Sequence, residues 1–231
     1  MFPARRIVCL TEETTETLYL LEEQDRIVGI SGYTVRPARA RKEKPRVSAF
    51  ISADVPKILA LDPDLVLTFS DLQADIAAEL IRKGVQVHAF NQRTVVGILD
   101  MILTVGALVG ASTKAQLLVD SLMANMEAVK ARTGLRVQRP KVYFEEWDEP
   151  MISGISWVAE LIEIAGGQDV FPELSRQKLA KNRIISVDTL IARNPDIVIA
   201  SWCGKKFNPT GLRRDLVSTA YRQSATGACM R

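Results

Sequence analysis

The single histidine of this chain, His88, lies inside a strand-like run, VQVHAF, and the 231 residues hold no second imidazole. A zinc centre draws three or four ligands from His, Cys and carboxylate side chains, so His88 announces none. The three cysteines, Cys9, Cys203 and Cys229, are widely spaced. That spacing makes neither a disulfide framework nor a metal knuckle, and buried or incidental thiols are expected. Ser175 and Lys178 in SRQK satisfy a Ser-x-x-Lys pattern, but a short one that chance supplies. There is no nucleophile elbow. GALVG reads as helix and lacks the Lys-Ser/Thr ending of a phosphate-cradling loop. Neither catalytic residues, nor a catalytic cofactor, nor a resident metal is expected, and the chemistry that is left is binding.

Charge adds two acidic clusters and a basic stretch. Glu12, Glu13 and Glu16 in TEETTE open a helix, where negative charge complements the helix dipole. Glu145, Glu146, Asp148 and Glu149 in EEWDE are denser and read as a loop. That loop either contacts ligand amides or a cation, or is simply solvated. The stretch from Arg36 to Arg46 reads as a solvated basic loop that could also meet acidic groups on a ligand. A net charge of +3 is too small to argue for nucleic acid, and no apolar run reaches membrane-spanning length. The opening MFPARRIVCL shows no long apolar segment and no small-residue cleavage site. The expected location is periplasmic if a leader has been removed, and cytoplasmic otherwise.

The elements that must position these side chains alternate. RIVCL reads as a buried strand, ETTETLYLL as a helix, RIVGIS as a strand. A helix is expected from Val55 to Leu61, with Pro56 tolerated in its first turn. DLVLTF follows as a strand, QADIAAELIRKG as a helix closed by Gly84, and VQVHAF as a strand. From about Val95 to Gly134 the pattern is helical throughout. The later part, capped by Ser112 or Thr113, places Leu118, Leu122, Met126 and Val129 on one face. Strand RPKVYFEEW and helix SWVAELIEIAGG then restart the alternation. This βα repeat predicts α/β architecture with mostly parallel sheets covered by helices. KILALDPDLVLTFSD and TLIARNPDIVIASWC are the same helix, Pro-Asp, strand unit used twice. They read as equivalent pieces of two similar lobes, with FSD and SWCGKK where the lobes face each other, since open α/β sheets bind ligands beyond their strand carboxyl ends.

RIVCLTEETTETLYLLEEQDRIVGISGY, ILALDPDLVLT, the long helix and LIARNPDIVIAS together resemble the class III periplasmic substrate-binding proteins of ABC importers for cobalamin, haem and ferric siderophores. The similarity runs over about nine tenths of the chain and is greatest to the cobalamin-binding branch. It implies two Rossmann-like α/β lobes joined by a long backbone helix: an N-terminal lobe at 1–110, the connecting helix at 111–136 and a C-terminal lobe at 137–231. It implies a monomer that captures cobalamin as bound ligand in the cleft, with haem or a ferric siderophore as alternatives, and delivers it to an ABC importer permease. In that family, loop aromatics hold the corrin ring. The matching positions are Tyr33, Phe50 and Phe69 in the first lobe and Trp202 in the second, with Trp147 in EEWDEP facing the cleft. Such a flat, mostly apolar ligand needs rigid aromatic walls and few polar groups. Core packing is the competing reading for Tyr33, Phe50 and Phe69; Trp157 is either a cleft residue or a packing anchor. A cytosolic corrinoid- or metallocluster-handling enzyme on a similar scaffold is the rival class.

The resemblance also implies an acidic residue on each lobe that docks onto permease arginines. Asp188 is the second-lobe match; the first-lobe position falls at Pro56, with Asp54 two residues earlier. After SWCGKKF the tail NPTGLRRDLVSTAYRQSATGACMR departs from the family pattern, showing neither strand nor apolar helix stripe. The second lobe is therefore expected to lack its closing strand and helix and to expose a sheet edge.

Overall fold

A computed structural model describes residues 2–134 and 138–202. Cys203, Cys229 and the tail after Trp202 lie outside the described residues. The chain divides into two compact units, one of residues 1–92 and 96–124, the other of 93–95 and 125 onward.

In the first unit five strands form one sheet: β1 (Ile7–Cys9), β2 (Ile27–Ser31), β3 (Arg46–Ser48), β4 (Leu65–Phe69) and β5 (Val87–Phe90), in the order β3-β2-β1-β4-β5. Every pairing is parallel. A parallel sheet needs cover on both faces, and the pleat of β1 supplies it. Ile7 and Cys9 enter one apolar cluster, Val8 and Leu10 the other, and β4 divides Leu65 and Leu67 from Val66 in the same way. Helices α1 (Glu12–Leu20), α5 (Val95–Leu108) and α6 (Ser112–Thr133) feed the first cluster. Helices α3 (Val55–Ala60) and α4 (Ala74–Arg82) feed the second through Ile58 and Leu80. Pro56 sits in the first turn of α3 as expected, and Gly84 takes φ +81° just past α4. Gly106 lets α5 and α6 approach closely, since a Cβ there would lie 2.3 Å from that of Ala115. Along α6, Ala115, Leu118, Val119 and Leu122 pack on the first cluster.

The basic stretch is not all loop. It contains a short helix, α2 (Ala40–Glu43), and strand β3, anchored by buried Ala40 and Val47.

The second unit is built on β6 (Lys141–Asp148). β9 (Ile197–Ala200) runs parallel along one edge of β6, while β7 (Met151–Ser153, antiparallel) and β8 (Gln168–Asp169, parallel) share the other. β6 also alternates: Tyr143 packs with Val170, Phe171, Ile185 and Leu190, and Val142 packs with Ile155, Val158 and Ile162. Helices α7 (Ser156–Ile164), α8 (Pro172–Ser175) and α9 (Val187–Arg193) complete it. Trp157 is half-buried and packs against the Val142 cluster. Val66 and Val198 thus belong to different sheets. EEWDE is corrected: Glu145 to Asp148 are strand and only Glu149 lies in the turn, because β6 continues through Asp148 before turning back into β7, giving Glu145 and Trp147 strand partners in Ser153 and Ile152.

The repeated Pro-Asp unit has a physical explanation. In α3, Asp54 is the N-cap and accepts from the Lys57 amide at 3.0 Å; in α9, Ser186 is the N-cap and accepts from the Thr189 amide at 3.2 Å. Ile58 and Leu190 are then equivalent, and both are fully buried. After the helices, Asp62 and Asn194 turn the chain at φ +47° and +49°, a left-handed conformation that Asn and Asp tolerate better than most residues. The aspartates that follow Pro63 and Pro195 tie down a neighbouring strand. Asp64 accepts from the Arg5 and Arg6 amides ahead of β1, at 2.8 and 3.0 Å, and Asp196 accepts from the Lys141 amide at the start of β6, at 2.7 Å.

Candidate functional site

In the first sheet the strand order reverses between β1 and β4, and a crevice is expected outside the carboxyl ends of those strands. The residues there are Leu10 and Thr11 after β1, Tyr33 after β2, Phe50 after β3 and Phe69 with Ser70 at the end of β4. Tyr33 is 44% exposed, held at its backbone by the Ser31 hydroxyl. Phe50 is half-buried in the bend after β3. Phe69 is partly buried and packs against the core cluster that contains Ile7 and Leu67, so it shares its surface with the scaffold. Ser70 adopts φ +53° and ψ −175°, an uncommon conformation for a residue with a Cβ. Its amide donates to the Phe90 carbonyl at 2.7 Å, which turns the chain at the strand end.

Gln73 organises these loops, and sequence reasoning missed it. Its side chain is 1% exposed. The amide nitrogen donates to the carbonyls of Leu10, at 3.3 Å, and Phe50, at 2.8 Å; the amide oxygen accepts from the Phe69 N–H at 2.9 Å. One side chain therefore staples the ends of β1 and β4 and the loop after β3. The only signal for it was a Gln inside a polar run after a strand. Three exposed apolar side chains, Val35, Ile51 and Leu72, lie in the same loops and were also passed over.

The first turn of α1 enters this region with polar groups satisfied internally. Thr14 and Thr15 hydroxyls donate to the Thr11 carbonyl. Burial pushes the Glu13 carboxyl above its ordinary value, and the neighbouring charge of Glu12 adds to the rise. Gln92 donates to Glu13 at 3.3 Å, a bond that favours ionisation and works against that rise. Cys9 is buried beneath, its thiol pushed up to about 12 by desolvation, which makes it inert. His88 stacks obliquely on Phe90, ring centroids 4.4 Å apart. Among the described residues no three metal-ligating side chains cluster.

In the second unit Trp202 follows β9 and is half-buried. Its indole N–H donates to Glu145 at 2.9 Å. Glu145 is 0% exposed and also accepts from the Tyr143 hydroxyl at 3.1 Å. Burial, then the charge of Glu145, then that hydrogen bond hold the Tyr143 phenol well above its ordinary value. The next residue, Glu146, takes a bidentate ion pair from Arg183, which is 2% exposed and also donates to the Ser153 carbonyl. Two of the four EEWDE carboxylates are thus structural groups. Trp147 is half-buried on β6, its indole donating to the Glu149 carbonyl at 2.9 Å. A groove of about 550 Å³ lies elsewhere in this unit, lined by Arg139, Arg176, Glu160, Glu163 and Asp169 among others. That mixed charge does not suit an apolar macrocycle. Asp188 is exposed in the first turn of α9; the equivalent residue of α3 is Pro56, and Asp54 is occupied as the cap.

The pattern of the periplasmic binding protein family matches residues 7–222. A cobalamin-binding protein of Halobacterium salinarum is 24% identical over 230 residues, covering 96% of this chain and 61% of its own length. This chain therefore spans about three fifths of that relative. Among solved structures, the periplasmic vitamin B12 binding protein BtuF of Vibrio cholerae superimposes with a TM-score of 0.74 at 19% identity, over 96% of this chain and 83% of its own. A periplasmic heme binding protein from Pseudomonas aeruginosa does so with a TM-score of 0.76 at 18% identity, over 93% and 77%.

Proposed function

The chain belongs to the periplasmic binding protein family, and from that premise we propose that it captures a corrinoid, cobalamin in the first place, and hands it to an ABC importer permease outside the cytoplasmic membrane. The observation that carries this is that each unit, taken by itself, places aromatic side chains just beyond the ends of its parallel strands. Tyr33, Phe50 and Phe69 lie beyond β2, β3 and β4, and Trp202 lies beyond β9. Rigid aromatic faces suit a flat macrocycle, and a site that only binds needs no nucleophile or general base. The Halobacterium relative supports cobalamin over other members of the class. Trp147 is a further candidate contact. Asp188, exposed on a helix N-terminus, is the candidate for docking a permease arginine. With Pro56 at the equivalent place in the first unit, docking through this pair of helices is lopsided.

Haem is the second reading, favoured by the likeness to the Pseudomonas protein; a ferric siderophore is the third. Titration of the folded protein with cyanocobalamin, haemin and a ferric hydroxamate, followed by tryptophan quenching and calorimetry, separates them. Saturable binding of cyanocobalamin ahead of the others is expected. If a sample folded by circular dichroism binds none of the three, the proposal is wrong.

A further inference from the structure

We propose that Glu145 is a positioning residue that fixes the indole of Trp202, so that this ring meets a ligand as a preset wall. This rests on the reading of Trp202 as a ligand contact, but its geometry stands apart from that reading. The Glu145 carboxylate is fully buried in the middle of β6. One oxygen accepts the Trp202 indole N–H at 2.9 Å and the other the Tyr143 hydroxyl at 3.1 Å. The backbone repeats the tie, since the Ser201 amide donates to the Glu145 carbonyl at 3.0 Å, the last rung of the ladder before Trp202. A charged acceptor makes a shorter and stronger bond than a neutral one.

Burying a carboxylate is costly, and an apolar residue of similar volume fills such a place at lower cost. What the apolar residue cannot do is hold an N–H. Trp202 lies two residues past the end of β9, and a half-buried ring there has several rotamers open to it. The bond to Glu145 selects one before any ligand arrives, and ordering a side chain in advance removes that cost from binding. Tyr143, packed edge-on against Phe171 with centroids 5.9 Å apart, in turn locks the carboxylate. The chain of fixation runs from the core through Tyr143 and Glu145 to Trp202.

Two readouts test this. In a W147F/W157F background Trp202 is the sole tryptophan, and excitation at the red edge of indole absorption selects it over the tyrosines. Glu145→Leu is expected to shift its emission to the red and to raise acrylamide quenching about twofold, because an indole in a looser rotamer is better solvated. Unchanged emission and quenching would overturn the proposal. The second readout is a double-mutant cycle on cyanocobalamin affinity with E145L, W202F and both together. E145L alone is expected to weaken binding about tenfold, and to cost nothing further once Trp202 is Phe. A tenfold loss that persists in the W202F background would mean that Glu145 acts on the scaffold, and the positioning role fails. If the parent protein binds no cyanocobalamin, the proposed function falls while the fluorescence result still decides the role of Glu145. Should E145L not fold, Glu145→Gln carries both measurements with the same directions and smaller changes.

Discussion

Gln73 shows how a single buried amide sets the geometry of a binding edge. Removing it leaves the carbonyls of Leu10 and Phe50 and the amide of Phe69 without that partner. Gln73→Leu is expected to lower stability by about 2–4 kcal/mol in urea titrations, because unmade buried hydrogen bonds cost their full desolvation. Tyr33→Ala is the contrasting case. The residue is 44% exposed, so stability should stay within about 0.5 kcal/mol. Loss of one aromatic face should lower ligand affinity about tenfold in calorimetry. Phe69→Ala should do both, because its ring also packs on the core. Glu13 supplies a pH test. Its folded carboxyl is held above the ordinary value. The native state therefore binds its proton more tightly than the unfolded state, and stability contributed by the neutral form is lost as pH rises through the carboxylate range. Glu13→Gln should raise the melting temperature at pH 7, and the gain should shrink toward pH 4. A gain that grows on acidification would contradict the assignment. Only the aromatics were legible residue by residue. Aromatics in polar loops announce themselves, whereas a buried Gln or Glu looks in sequence like any surface polar residue.

At the scale of elements, legibility followed apolar periodicity. β1, β2, β4, α1, α4, α5 and α6 carry long or regular apolar patterns and emerge from the sequence with small shifts at their ends. The four-residue α2 and three-residue β3 sit in a run of Arg and Lys with one buried side chain apiece, Ala40 and Val47, too few to set a period. The strand reading RPKVYFEEW reaches Trp147, while the charges of EEWDE also read as a loop; Glu145 and Glu146 are accommodated in β6 by Tyr143, Trp202 and Arg183, partners distant in the chain or unmarked in it. The Pro-Asp repeat was visible, but its cause was not. Each aspartate ties the start of a neighbouring strand, Asp64 before β1 and Asp196 at β6. Asp64→Ala should speed amide exchange in Ile7–Cys9 and cost about 1–3 kcal/mol, since it removes two charge-assisted bonds. Asp196→Ala should speed exchange in Lys141–Glu145 and leave Ile7–Cys9 as it was. If both variants loosened both strands equally, the two aspartates would not be local clamps.

At the scale of the whole molecule, each unit carries its own sheet with an apolar cluster on either face, so the scaffold needs no ligand to form. A ligand that binds only the folded chain must then add to its stability by mass action, whatever residues it touches. At a free concentration near 100 times Kd the gain is about 2.7 kcal/mol, which for a chain of 231 residues corresponds to a rise of about 5–10 °C in melting temperature. Cyanocobalamin is expected to produce this rise, and haemin or a ferric hydroxamate a smaller one at equal concentration. The order of the three shifts ranks the ligands without any assumption about the site. Tyr33→Ala and Trp202→Phe should each reduce the cyanocobalamin shift; Tyr33→Ala should leave the unliganded melting temperature nearly unchanged, whereas Trp202→Phe should lower it, because the buried Glu145 carboxylate loses the indole N–H. A haemin shift larger than that of cyanocobalamin would transfer the assignment to haem. A shift that survived both substitutions in full would mean that the ligand sits away from these aromatics, and the proposed contacts beyond β2 and beyond β9 would each have to be abandoned.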